Sequence, residues 1–218
     1  MSAAELDTRP GWVAPELRAE LPGLELLAID VAARPGRSPR AVARRLWALS
    51  NRYTGGRAIT MRQEPVPRAY RAFFRQVGLD PDHERTPVEA AVLERIRRGG
   101  FPVRGLPHDA LLAATVDTGV ATIALDADRV DGEVGLRLAS RRERLGEEER
   151  SPAVPSGQIV LADSRRPLGV LFGALADGVE PDRTTERILV LAVRVPGVPQ
   201  VIADEALWIA AELLRFGR

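Results

Sequence analysis

Cysteine and lysine are both missing from this 218-residue chain, asparagine occurs once, at Asn51, and only 5% of residues are aromatic. Without cysteine there can be no disulfide, thiolate metal site or cysteine nucleophile, so a reducing cytoplasm is the expected compartment. Without lysine there is no Gly-rich phosphate loop of the usual kind, and neither a Gly-x-Ser-x-Gly elbow nor a His-Glu-x-x-His helix occurs. Histidine is scarce, at His83 and His108 alone. Two imidazoles with no thiol argue against a structural zinc site, so no metal and no cofactor are expected.

Charge of one sign is not in excess either. There are 31 basic and 30 acidic residues, a net charge of +1, so global electrostatics favours neither nucleic acid nor membrane. Any RNA contact must therefore be a local patch, and no DNA partner is expected. No uninterrupted apolar run approaches the ~18 residues of a membrane helix, and residues 1–10 lack the basic start and apolar core of a signal peptide. The all-arginine basic set reads as GC-rich coding or as a use of guanidinium chemistry.

What is present can bury a real core, as one large domain or two small ones. One unit over residues 1–218 is expected, helix-rich over 1–105 and sheet-rich over 106–218. Residues 12–21 read as a short amphipathic helix ending at Pro22-Gly23, and residues 24–32 as a buried strand. Ser38-Pro39 has the form of a helix start, with Val42, Leu46, Trp47 and Leu49 on the apolar side of the helix that follows. Arg37, Arg40, Arg44 and Arg45 spread over the rest, as a solvated face or, in the second reading, as an RNA backbone contact. Residues 51–57 read as a helix end entering a loop, a plain stop or a place where Arg52, Tyr53 and Arg57 meet a nucleotide.

Pro67 opens a further predicted helix closed by Gly78, with Tyr70, Phe73 and Phe74 as core. Thr86-Pro87 with Glu89 starts another, which Gly99-Gly100 stops, and Arg95, Arg97, Arg98 and Arg104 form a second basic surface around its end. A helix from Pro107 stops at Gly119. Short apolar strands separated by Asp and Gly turns follow over 119–139, 157–163 and 182–191. Residues 141–152 form a polar loop. The last helix, 204–216, has Leu207, Ala210, Ala211 and Leu214 as its stripe.

Three short motifs in this order and spacing resemble a known family. Residues 85–90 (Arg-Thr-Pro-Val-Glu-Ala) are similar to its Arg-Pro-Ser-x-Glu-Ala helix start, residues 124–130 (Ala-Leu-Asp-Ala-Asp-Arg-Val) to its Asp-Leu-Asp-Lys turn, and residues 183–185 (Arg-Thr-Thr) to its Asp-Thr-Thr cap. The chain thus resembles, from Leu21 to Phe216, the B3/B4 domain of the bacterial phenylalanyl-tRNA synthetase beta subunit, and most closely the free-standing B3/B4 proteins. The resemblance implies an α+β fold: N-terminal helices packed on a mixed β-sheet, with a C-terminal helix covering it. It also implies binding of tRNA or aminoacyl-tRNA in translation quality control, with the Arg37–Arg45 and Arg95–Arg104 groups on phosphates.

The family's editing pocket uses an Asn, a His and a Glu. Aligned on Gly119 and Asp126, the Asn position falls on Gly105 or Leu106, the His on Ile123 and the Glu on Ala176, with Asp177 beside it. Gly105, Leu106, Ile123 and Ala176 are therefore the candidate substrate pocket. Ester hydrolysis needs groups that polarise a carbonyl and position water, which Ile and Gly cannot supply. His108, Asp109 and Asp177 are the candidate replacements in an alternative reading as a trans-editing hydrolase. Asp109 has the other reading of a helix-start dipole residue. A third reading is an amino-acid or small-metabolite binder whose cleft has become apolar.

Overall fold

Strands from both ends of the chain meet in one antiparallel sheet. The computed structural model describes residues 7–53, 55–146 and 151–217, so parts of the readings for residues 1–10, 51–57 and 141–152 lie outside the described residues. The first half contributes β1 (Arg9–Pro10), β2 (Trp12–Val13), α1 (Pro15–Glu20), β3 (Glu25–Ala32), α2 (Arg40–Arg52), α3 (Gly55–Thr60), α4 (Pro65–Gln76) and α5 (Pro87–Arg98). The second half contributes α6 (His108–Thr118), β4 (Ala121–Asp126), β5 (Gly135–Leu138), β6 (Ile159–Ala162), β7 (Pro167–Val170), β8 (Arg187–Arg194) and α7 (Gln200–Arg215).

The first sheet has the order β1-β3-β8-β4 and every pair in it is antiparallel. The second has the order β2-β5-β6-β7, with β2 parallel to β5 and the other pairs antiparallel. The protein is thus α+β, as expected, but with two sheets instead of one, of which only the smaller is mixed. The strands β3 and β8 are apolar almost throughout because both faces of the first sheet are covered. Helix α7 packs on β3 and β8, and α6 packs on β4 and α7. The α7 stripe of Ala203, Ala206, Leu207, Ala210, Ala211 and Leu214 is fully buried, and its small residues let the helix lie close to the strands. Since β3 sits between β1 and β8, the first 105 residues supply a central strand as well as helices.

The helix expected over residues 12–21 is divided. Trp12 and Val13 pair with Gly135 and Leu136, Trp12 Nε1 donates to the Glu133 carbonyl at 2.9 Å, and only Pro15 to Glu20 are helical. Two glycines make this crossing possible. A Cβ on Gly11 would lie 2.5 Å from the Val134 carbonyl oxygen, and one on Gly135 would lie 2.0 Å from Cδ2 of Trp12. Elsewhere helix starts shift: Pro39, not Ser38, caps α2, and α4 opens at Pro65 instead of Pro67. Gly55–Thr60 form the short helix α3 where a loop was expected.

Other expectations hold. Thr86 and Glu89 form a reciprocal capping box, and Gly99 ends α5 in the left-handed region with φ 78°. Tyr70, Phe73 and Phe74 are buried. Inside this core Glu89 also receives Arg71 Nη1 at 2.8 Å, so a buried ion pair joins α4 to α5. No helix among the described residues is long and apolar enough to cross a membrane.

Candidate functional site

The loop before α6 is tied down by a single carboxylate. Asp109 is fully buried, and its oxygens accept from Ser38 Oγ at 2.6 Å, from the Gly105 amide at 2.9 Å and from the Arg104 amide at 2.9 and 3.1 Å. His108 Nδ1 lies 3.2 Å from the same carboxyl. Burial pushes the Asp109 carboxyl up, but the hydrogen bonds from His108, Ser38 and the two amides outweigh it, so the group titrates below the ordinary carboxylate value. Gly105 and Leu106 belong to the same knot. Leu106 exchanges backbone hydrogen bonds with Gly36, and Gly105, at φ 119°, has no room for a Cβ, which would fall 2.6 Å from the Gly36 carbonyl.

The remaining candidates from the resemblance lie apart from that knot. Ile123 is half-buried in β4 opposite Leu191, while its neighbour Thr122 turns to α6 and bonds Thr115 and the Leu111 carbonyl. Ala176 is buried and its amide donates to the Leu168 carbonyl at 2.8 Å. Asp177 is exposed, and no hydrogen bond joins it to His108 or Asp109. None of these residues lines any of the four main clefts formed by the described residues. Nor do the described residues hold a group of three or more His, Asp or Glu side chains placed to bind a metal ion.

The arginines divide into engaged and free. Arg45 pairs with Asp117, Arg95 Nε donates to the Ser50 carbonyl at 3.0 Å, and Arg98 and Arg104 share Glu94. Arg52 also holds Asp117, at 2.5 Å, and Tyr53 is buried with its hydroxyl on the Val116 carbonyl at 2.9 Å. Burial pushes that phenol up. Arg57 lies over the Tyr53 ring, 5.6 Å from its centroid. Of the three nucleotide candidates, Tyr53 therefore belongs to the core, and Arg52 and Arg57, though exposed, are engaged with Asp117 and with the Tyr53 ring. Arg37, Arg40, Arg44 and Arg97 are exposed and form no ion pair or side-chain hydrogen bond among the described residues.

One residue expected in the core belongs instead to this free set. Trp47 is 70% exposed, and with Ala43 it lines a shallow groove between Arg40 and Arg44. At 3.6 residues per turn, Arg40, Arg44, Trp47 and Asn51 project from one side of α2, opposite the buried Val42, Leu46 and Leu49. The signal was in the phase: Trp47 is one residue out of step with the 42, 46, 49 stripe.

A larger cleft, of about 920 Å³, opens between α1, the end of α4 and the second sheet. Its floor holds Phe73, Phe74 and Phe172, and Phe172 stacks on Phe74 with ring centroids 5.2 Å apart. No sequence signal singles out Phe172, which lies in the loop after β7. No family model matches the chain, and no curated protein matches it.

Proposed function

We propose that this chain is a B3/B4-like RNA-binding protein that takes tRNA or aminoacyl-tRNA against the outer face of α2. The observation that carries the reading is Trp47, exposed to solvent in a shallow groove it shares with Arg40 and Arg44, two guanidiniums that form no ion pair among the described residues. A large aromatic ring exposed on a helix is a costly thing to leave in water, and flanking arginines give it the form of a stacking platform with phosphate contacts. Arg37, just before the helix, and Asn51, one turn beyond Trp47, extend the same side. The trans-editing alternative has no comparable support: Asp109 is engaged by four neighbours, and Ile123 and Ala176 bring no polar group.

Filter binding with bulk tRNA between about 50 and 200 mM salt tests this reading. The affinity is expected to fall with salt, and replacing Arg37, Arg40 and Arg44 by Gln should reduce the log–log slope by about 1 for each phosphate no longer neutralised. Trp47→Ala should weaken binding by about 1–3 kcal/mol while leaving the slope unchanged. Salt-independent binding, or wild-type affinity in both variants, refutes the assignment.

A further inference from the structure

The cleft between α1, the end of α4 and the second sheet is unused by the RNA reading and does not depend on it. Its volume of about 920 Å³ falls in the range of small-molecule sites. Three features define what it can hold. The floor is aromatic, and the ring of Phe172 is clamped by α4, stacked on Phe74 and edge-on to Tyr70 and Phe73 at 5.9 and 6.1 Å. That ring is presented by a strained backbone, since Phe172 has φ 61°, a left-handed conformation uncommon for a bulky residue and concentrated at ligand sites. The rim is polar and exposed: Gln76 at the end of α4 and Gln158 before β6, with Glu20 and Glu84, form no side-chain hydrogen bond or ion pair among the described residues, so their polar groups are open to a ligand. The one cation of the lining, Arg85, already donates to the Pro81 carbonyl and sits 3.6 Å from Asp82.

We infer that this cleft binds a nucleobase carrying an exocyclic amino group, as a free nucleoside. A planar ring stacks on Phe172 and fills the aromatic floor. Primary amides pair bidentately with an amino group and the adjacent ring nitrogen, as Gln does with adenine, and a carboxylate accepts from an amino group, as Glu does with cytosine. Two carboxylates at the rim against one engaged guanidinium repel a phosphate, which selects the nucleoside over the nucleotide.

Calorimetric titration of the full chain with adenosine, AMP and uridine tests the inference. Adenosine is expected to bind with Kd about 0.1 mM, the affinity typical per atom for a ligand of that size. Uridine and AMP should each bind about tenfold more weakly, and Glu20→Gln with Glu84→Gln should narrow the AMP gap to within about threefold. Phe172→Ala should cost tenfold or more in adenosine affinity, about the worth of one stacking contact. Because Phe172→Ala removes packing on α4, Gln158→Leu serves as the second variant: it is exposed, and it should lose about fivefold without changing the melting temperature. No saturable adenosine binding overturns the inference, and so do equal affinities for adenosine and uridine or full affinity in Gln158→Leu and Phe172→Ala. The RNA test reads α2 and this one reads Phe172, so either can fail without the other.

Discussion

Replacing Asp109 by Asn separates a loop-tying role from a catalytic one. The substitution keeps the shape of the side chain and removes its charge. Oδ2 accepts from Ser38 and Gly105, Oδ1 from the Arg104 amide at 2.9 Å, all within a fully buried side chain. An asparagine can place its oxygen on one side only, so its NH2 must face a donor on the other. Hydrogen bonds to a charged group contribute about 1.5–3 kcal/mol each against 0.5–1.5 for neutral ones, so two weakened amide bonds cost about 2 kcal/mol. A donor facing a donor adds about 1 more, for a total near 3 kcal/mol and a drop in melting temperature of about 10 °C for a chain of this size. The sign with pH follows from the depressed carboxyl. Its folded-state value lies below the ordinary 3.8, so the unfolded chain binds the proton more readily and the stabilisation is complete at neutral pH. It is lost as pH falls below 3.8 through the folded value. Urea melts of wild type and variant from about pH 7 downward should therefore show a constant gap that closes in acid. A gap under about 1 kcal/mol at neutral pH, or one that does not close in acid, would show that the carboxylate does not hold the loop.

Two further perturbations probe the scaffold. Glu89→Gln removes the buried one of Arg71's two carboxylate partners, leaving Asp82 at 2.7 Å, and weakens the capping box, so unfolding free energy should fall by about 2 kcal/mol in denaturant melts. Gly135→Ala drives a Cβ into the Trp12 ring and backbone, which lie 2.0 and 2.3 Å from its position, so a loss of about 2 kcal/mol is expected together with a changed near-ultraviolet signal from Trp12. A neutral Gly135→Ala would mean that β2 does not pair with β5.

Much of the scaffold is legible because its cues are local. The capping box of α5, the strand at residues 25–32 and the small-residue stripe of α7 each need only neighbouring positions to be read. The crossing from β1 to β2 is not local. It depends on the close approach of Gly11 to Val134 and of Gly135 to Trp12, more than 120 residues apart, so a Trp beside apolar residues reads as a helix start. Phe172 was illegible for the same reason, since only the return of its loop onto α4 gives it neighbours.

The motifs that carry the family resemblance turn out to be residues that shape the chain. Thr86 and Glu89 cap α5; Asp126 accepts from the Asp128 amide at 3.0 Å and from Thr185 Oγ1 at 2.7 Å; Asp182 accepts from the Thr184 amide at 2.8 Å. Turn and cap residues specify where the backbone goes, whereas the positions that the resemblance would assign to the family's chemistry hold Gly105, Leu106, Ile123 and Ala176. A similarity built from the first kind of residue speaks to path and leaves activity open. Function then has to be sought among side chains whose placement is costly where they stand. Trp47 in water and Phe172 at positive φ are two such residues, and they lie on opposite kinds of surface, one convex and charged, the other concave and aromatic.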